Sequence, residues 1–267
     1  MLPPIAFIGG GNMATAMLAG LRALPDAPAL CVSEPDPAKR AGFTAQGVTA
    51  TGENTQAVAF GRIVVLAVKP QVMAAVMPEV AAAWAADKIL VSILAGTPSA
   101  RLASFLPAGS RVVRAMPNTP LAIGQGMVGI CAGGGATADD LALAEALFAP
   151  SGKVVRVADE SRMDAITAVS GSGPAYVFRV AEALVAAAKD LGFTDAEAEL
   201  LVGQTMQGSI AYLLKERFEA ARLRKAVTSP GGTTAAALAV LEQAGFDALW
   251  SNALKAAEAR GRELAKA

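Results

Sequence analysis

The sequence predicts a two-domain α/β protein, with an N-terminal doubly wound sheet carrying helices on both faces and an all-α domain after it. Up to residue 155, short β-branched runs alternate with stretches of helical spacing, which is the pattern of a parallel sheet covered by helices. After "GKVVRVADES" the strand signal disappears and long helical stretches follow. We therefore divide the chain into domains 1–158 and 159–267. This division also suits the length, because single hydrophobic cores stop growing near about 250 residues.

The elements of both domains can be placed in order. Strands are predicted at 5–8, 30–33, 63–68, 89–93, 111–114 and 128–131, with helices at 12–21, 71–83 and 138–148. The second domain is predicted to have helices at 163–191, 194–215, 233–244 and 246–266, the second of them opening on a capping box of Thr194 and Glu197. Gly171, Gly173 and Pro174 should interrupt the first of these helices.

Composition narrows the chemistry. The chain has 23 basic and 23 acidic residues, so no net field attracts nucleic acid or an anionic membrane, and a small neutral or zwitterionic partner fits better. It contains no histidine, which excludes histidine triads, histidine metal ligands and histidine acid–base catalysis. No metal site is predicted. Chemistry carried by a cofactor is the simplest remaining option.

Several features predict a cytoplasmic, self-associating protein. After "MLPP" the chain enters a strand directly, so we expect no secretory leader. Cys31 and Cys131 have no motif spacing and should be buried, reduced thiols. The uncharged runs 115–138 and 226–241 contain Pro and Gly turns, so neither predicts a membrane helix. The hydrophobic share of 54% suggests a buried subunit interface.

A glycine-rich turn predicts dinucleotide binding. In "IAFIGGGNMATAMLAGL", Gly9, Gly11 and Ala14 lie between a short apolar strand and an amphipathic helix. Gly9 allows the tight turn, Gly11 allows the backbone to approach a pyrophosphate, and Ala14 allows close packing of helix on strand. The helix N-terminus then offers free N–H groups to the phosphates.

Polar residues follow other predicted strands at the same edge of the sheet. Glu34 ends the second strand, where a carboxylate accepts a hydrogen bond from the ribose 2′-hydroxyl of NAD, whereas nearby Lys39 and Arg40 can hold a 2′-phosphate or lie on a solvated helix face. Lys69 follows the strand "VVLAV", and Ala95 the strand "VSIL". We expect both to lie near the cofactor, because ligands bind at this edge.

The stretch "VTSPGGTTAAAL", residues 227–238, is an unusual turn within the helical half. Pro230 and the glycines predict a turn, and a helix beginning near Thr233 would present N–H groups and hydroxyls to an anion. The alternative is that Ser229, Thr233 and Thr234 bind no ligand and only cap the helix. A helix cap stabilises a protein by about 1 kcal/mol.

Five phrases, "FIGGGNMATAM", "AVKP", "RAMPNTP", "SGSGPAYVF" and "VTSPGGTT", occur in this order along nearly the whole chain. Together they resemble the Δ1-pyrroline-5-carboxylate reductase family. The resemblance implies a Rossmann-type N-terminal domain and a helical C-terminal dimerisation domain that interleaves with its partner. It also implies reduction of a cyclic imine to L-proline, with NADPH or NADH as the hydride donor, in a dimer or higher homo-oligomer.

The resemblance also implies which residues form the site. Thr234 would be the catalytic residue, bonding the ring nitrogen or the carboxylate. The substrate would contact Ser229, Gly231, Gly232, Thr233, Thr234 and, as a weaker candidate, Glu160. The cofactor would contact Ile8, Gly9, Gly10, Gly11, Asn12, Met13, Ser33, Glu34, Asn54, Ala67, Val68, Lys69, Pro70 and Ala95.

Two positions depart from the family pattern. The resemblance favours NADPH as the cofactor, and many members carry a small or hydroxyl residue at position 34. Glu34 repels a 2′-phosphate, so the choice between NADPH and NADH stays open here. An acidic residue is expected shortly before "VTSPGG", where this chain has Lys225 and Ala226.

Two other functions remain open at this point. One is a related reductase acting on another imine or on a hydroxy acid. A hydroxy-acid enzyme would place a catalytic lysine in the long helix after the domain boundary, and Lys189 is the only lysine there, at the far end. The other is a dinucleotide-sensing protein without catalysis.

Overall fold

A computed structural model describes residues 2–265. Its internal contacts divide the chain into two compact units. Of the described residues, the first unit comprises 2–174 and 256–265, and the second is Ala175–Lys255. Within residues 2–265 no helix has the length and apolar character needed to cross a bilayer.

The first unit is built on an eight-stranded sheet in the order β3-β2-β1-β4-β5-β6-β7-β8. Strands β1 to β6 are parallel, β7 pairs antiparallel with β6, and β8 is parallel to β7. The order of the first six strands is that of a dinucleotide-binding doubly wound fold. Their bounds are β1 Ile5–Ile8, β2 Leu30–Ser33, β3 Thr49–Thr51, β4 Ile63–Leu66, β5 Ile89–Ser92, β6 Arg111–Met116, β7 Gly126–Gly134 and β8 Gly152–Arg156.

Helices cover both faces of this sheet, which confirms the predicted doubly wound fold. They are α1 Asn12–Arg22, α2 Pro37–Ala45, α3 Asn54–Phe60, α4 Met73–Ala82, α5 Ser99–Ala103, α6 Ala138–Phe148 and α7 Met163–Ile166. Alternate side chains of each central strand enter two separate cores. One core joins Phe7 of β1 to Met17 of α1 and Phe148 of α6, and the other joins Ile8 to Met77 of α4. Burial of each such side chain stabilises the folded chain by about 1.5–3 kcal/mol.

A π-helical turn, Thr167–Gly171, interrupts the helical run after α7, as the glycines and proline of this stretch predict. Gly171 faces β6 so closely that an added Cβ would lie 2.5 Å from the Met116 Cε atom. Asn118, just after β6, donates a hydrogen bond to the Ser170 carbonyl at 3.2 Å. The interruption therefore serves tight packing on the sheet.

The remaining helices are α8 Gly173–Asp190, α9 Asp195–Lys215, α10 Ala220–Ala226, α11 Thr233–Gln243 and α12 Phe246–Leu264. The capping box at the start of α9 is present, with Thr194 and Glu197 bonding reciprocally. Tyr176 and Trp250 pack edge to face in the second unit, with ring centroids 5.9 Å apart.

Most of the predicted elements are confirmed, and the errors have physical causes. Strands β4 and β5 end at Leu66 and Ser92, before the predicted 68 and 93, whereas β6 and β7 extend beyond their predicted ends. Strands β3 and β8 were not predicted, since one has three residues and the other is mostly accessible. Helices α2, α3, α5 and α10 were missed because none exceeds nine residues. Residue 266 of the last predicted helix lies outside the described residues.

Candidate functional site

The turn after β1 brings three strand ends together. Gly9 has φ +100°, a conformation that L side chains rarely adopt, and an added Cβ would lie 2.8 Å from the Ala67 carbonyl oxygen after β4. The Gly9 N–H donates to the Ser33 carbonyl at the end of β2 at 2.8 Å, and the Ala67 N–H donates to the Ile8 carbonyl at 2.9 Å. Only glycine fits this position.

The start of α1 is shaped to accept an anion. Gly11 is its N-cap and gives no side-chain cap, so the first N–H groups of the helix, including those of Asn12 and Met13, stay available for a phosphate. No atom lies within 4 Å of a Cβ added at Gly11, so the backbone there can be approached closely. Ala14 is buried against the strands. These features fit a dinucleotide pyrophosphate.

The Glu34 carboxylate is buried at the end of β2 and held by backbone groups. One oxygen accepts from the Gly10 N–H at 3.0 Å and the other from the Asp36 N–H at 3.2 Å. Arg40 donates to the carbonyls of Glu34 and Pro35, at 2.8 Å each. The Glu34 carboxylate thus lies against the glycine turn, and the Arg40 hydrogen bonds stabilise the loop that follows β2.

A chain of side-chain hydrogen bonds runs from Ser33 to α4. The Ser33 hydroxyl donates to Asn54 Oδ1 at 2.7 Å, and Asn54 Nδ2 donates to Glu79 Oε2 at 2.9 Å. Ser33 ends β2 and Asn54 opens α3, so two of the predicted cofactor contacts are in direct contact with each other.

The loops after β4 and β5 complete the edge of the sheet. Ala67 and Val68 are half-buried, whereas Lys69 and Pro70 are exposed at the start of a 3₁₀ turn. Pro70 and Ala95 help to line a cavity of about 510 Å³ in the first unit. The structure therefore brings the predicted cofactor residues to a single edge, formed by the carboxyl ends of β1, β2, β4 and β5.

Glu160 lies in the first unit with its carboxylate already engaged. It accepts hydrogen bonds from the Ser99 N–H at 2.7 Å, from the Ser99 hydroxyl, and from Arg114 at 2.9 Å. Burial alone would raise the pKa of Glu160, but the bonds from Ser99 and the charge of Arg114 outweigh it and hold the pKa below its ordinary value. Glu160 is therefore ionised and ties the start of α5 to β6.

The predicted substrate residues Ser229–Thr234 form a set of their own in the second unit. Gly231 has φ +68°, and Gly232 is the N-cap of α11 without a side-chain cap. Among the described residues, the hydroxyls of Ser229, Thr233 and Thr234 have no hydrogen-bond partner, so the alternative that they cap α11 is not observed. An uncapped helix start with two adjacent hydroxyls is suited to a carboxylate.

Lys189 does not have the surroundings of a catalytic base. Its ammonium pairs with Asp195 at 2.7 Å, and its side chain is 49% exposed. The hydrogen bond that the Lys189 ammonium donates to Asp195 raises the pKa of Lys189 above its ordinary value. A lysine base needs the opposite shift, which removes the motivation for a hydroxy-acid mechanism.

Three residues that the sequence did not single out hold predicted site residues in place. Ser99 and Arg114 hold Glu160, and Glu79 orients Asn54. A signal existed for Arg114, because a charged residue inside the apolar strand "RVVRAM" requires a buried partner. The sequence carries no comparable signal for Ser99 or Glu79, since each acts through a contact with a residue distant in sequence.

Comparisons with known proteins agree along the whole chain. A family model described as pyrroline-5-carboxylate reductase dimerisation matches residues 160–264, and one described as NADP oxidoreductase, coenzyme F420-dependent, matches residues 4–96. The chain is 43% identical to a pyrroline-5-carboxylate reductase of Pseudomonas aeruginosa, covering 99% of this chain and 97% of the relative. A relative with the same name from Mycobacterium tuberculosis is 42% identical, covering 97% of this chain and 96% of the relative.

Solved structures show the same similarity. A pyrroline-5-carboxylate reductase from Coxiella burnetii superposes with a TM-score of 0.90 at 39% identity, covering 98% of both chains. A pyrroline carboxylate reductase of Plasmodium falciparum, solved with NADP bound, gives a TM-score of 0.86 at 27% identity, also covering 98% of both chains.

Proposed function

The chain belongs to the pyrroline-5-carboxylate reductase family, and we propose that it reduces 1-pyrroline-5-carboxylate to L-proline with NADH or NADPH. The observation that carries the proposal is the uncapped Gly9–Gly11 turn in a chain that is similar to such reductases from end to end. When bound, the dinucleotide supplies the hydride that reduces the C=N bond.

The residues of the first unit would share the work of holding the dinucleotide. Asn12 and Met13 carry N–H groups suited to the pyrophosphate, because a helix start attracts phosphate. Ser33, Glu34 and Asn54 would bind the adenosine ribose. The remaining contacts proposed are Ile8, Gly9, Gly10, Gly11, Ala67, Val68, Lys69, Pro70 and Ala95.

The turn before α11 would hold the substrate. We assign to Thr234 the contact with the ring nitrogen or carboxylate, and to Thr233 and the N–H groups of α11 the binding of the carboxylate. Ser229, Gly231 and Gly232 would shape this turn. Glu160 would be the weaker candidate for substrate contact, because Ser99 and Arg114 already engage its carboxylate.

Protonation of the imine needs no residue of the chain. Only the protonated imine is a good hydride acceptor, and an iminium can take its proton from solvent. The chain has no histidine. The work of the protein is therefore to align donor and acceptor and to exclude water.

We also propose a homodimer, or a higher homo-oligomer built from it, in the cytoplasm. The dimerisation model matches residues 160–264. Its start supports a boundary near residue 158 defined by family similarity, whereas the first compact unit extends to Pro174. Large apolar side chains of the second unit, such as Phe178, Leu200 and Ile210, are exposed in the single chain. Two buried, unpaired cysteines suit a reducing compartment.

Replacement of Thr234 by valine tests the site. Valine keeps the shape and removes the hydroxyl, so kcat/KM should fall by at least about tenfold, the worth of one hydrogen bond to a charged partner. The matched control is Thr228→Val in the same turn, since the Thr228 hydroxyl only donates to the Arg224 carbonyl. Equal kinetics for Thr234→Val and Thr228→Val would contradict the assignment.

A further inference from the structure

The hydrogen bonds from Ser33 to Glu79 have a fixed direction. A carboxylate without a proton can only accept, so the Asn54 amide must turn its NH₂ group to Glu79. The amide oxygen then faces Ser33, and the Ser33 hydroxyl uses its single proton to donate to it at 2.7 Å. The charge on Glu79 therefore decides where the Ser33 proton points.

This direction determines what the end of β2 offers a ligand. With its proton engaged, Ser33 Oγ presents only lone pairs, and the neighbouring Glu34 carboxylate is likewise an acceptor. A ribose 2′-hydroxyl can donate to such acceptors. A 2′-phosphate is an acceptor with negative charge and needs donors. The edge is thus matched to the hydroxyl and mismatched to the phosphate.

We propose that Glu79, an exposed residue of α4, is a specificity-determining positioning residue: by fixing the Asn54 amide it keeps Ser33 an acceptor and favours NADH over NADPH. The inference rests on the proposed dinucleotide site, but it does not depend on which imine is reduced. Glu79 acts through Asn54, and the hydrogen bond between the two side chains is exposed.

Loss of the Glu79 carboxylate frees the amide to rotate. If Asn54 turns its NH₂ group toward Ser33, the Ser33 hydroxyl accepts from it and can donate its own proton to a 2′-phosphate. Glu79→Met removes the acceptor at similar length. Glu79→Gln removes the same charge but keeps an amide oxygen that can still accept from Asn54.

The test is the ratio of the dissociation constants of NADPH and NADH, measured by titration calorimetry on the intact protein. Wild type should bind NADH more tightly. Glu79→Met should lower the ratio of the NADPH dissociation constant to the NADH dissociation constant about tenfold, which is the effect of one charge-assisted hydrogen bond. This decrease should exceed that of Glu79→Gln by at least about threefold. The charge control is Glu53→Gln, at the N-cap of α3 where its side chain makes no cap, and it should change the ratio less than about twofold.

A second pair of variants separates positioning from general electrostatics. On a Ser33→Ala background there is no hydroxyl to reorient, so adding Glu79→Met should leave the ratio unchanged within about twofold. Equal shifts from Glu79→Met, Glu79→Gln and Glu53→Gln, or the full shift persisting without the Ser33 hydroxyl, would overturn the proposal. Because binding is measured without an imine, failure of the proposed reaction would show separately, as dinucleotide binding without turnover.

Discussion

Removal of the Glu160 carboxylate should destabilise the first unit. The Arg114 side chain is 8% exposed and that of Glu160 is 29% exposed. Glu160→Ala leaves this guanidinium, and the N–H and hydroxyl of Ser99, without an acceptor. Removal of one partner from a buried ion pair costs about 3–5 kcal/mol. Since water can reach Glu160 in part, we expect about 2–3 kcal/mol.

Urea unfolding at pH 7, followed by tryptophan fluorescence, measures this loss. Asp159→Ala is the matched control, because the neighbouring Asp159 is exposed and accepts hydrogen bonds from the nearby Ser161, a local contact worth about 1 kcal/mol. A free energy of unfolding for Glu160→Ala within about 0.5 kcal/mol of wild type would refute the argument.

The same variant has a predictable pH dependence. Burial raises the pKa of Glu160, but Ser99 and Arg114 more than compensate, so the folded-state pKa lies below the ordinary value. The stabilisation from Glu160 is therefore present above the unfolded pKa of about 4.3 and is lost as the pH falls through the lowered folded pKa. The difference in the free energy of unfolding between wild type and Glu160→Ala should therefore become smaller below about pH 4. A difference in the free energy of unfolding that stays constant down to about pH 3 would contradict the lowered pKa of Glu160.

Two other properties can be checked directly. Gly9→Ala should destabilise the fold by about 2 kcal/mol, because it places a side chain at φ +100° and 2.8 Å from the Ala67 carbonyl oxygen. Gly11→Ala has open space around it but replaces the N-cap of α1, so it should cost about 1 kcal/mol or less while weakening dinucleotide binding in calorimetry. A normal unfolding midpoint for Gly9→Ala would contradict the first expectation. Burial raises the pKa of Cys31 to about 11. This thiol should therefore resist a disulfide reagent at pH 8 in the native protein and react with it in urea. Fast labelling of the native protein would show instead that the thiol is accessible.

The sequence predicts best where a pattern is local. The bounds of β1 and β2 agree with prediction to the residue, because each is a short apolar run followed by turn residues. Helix α6 agrees as well, and its capping box of Thr137 and Asp140 is a local signal. Strand β3 lies at the sheet edge and has three residues, too few for an alternating pattern to stand out.

The candidate site divides in the same way. The glycine turn and Glu34 could be located from spacing alone, since a dinucleotide-binding unit fixes both positions. The bond from the Gly10 N–H to Glu34 spans 24 residues, and that from Ser99 to Glu160 spans 61. Such contacts depend on how the strands are ordered in the sheet. Their partners therefore become visible only in the folded chain.

The most direct test of the proposed function is hydride transfer from NADH or NADPH to 1-pyrroline-5-carboxylate, followed by dinucleotide absorbance with the product identified. We predict turnover with L-proline formed in equal amount to the dinucleotide oxidised, and a lower KM for NADH than for NADPH. Tight dinucleotide binding without oxidation in the presence of this or any other cyclic imine would contradict the central claim and favour a dinucleotide sensor.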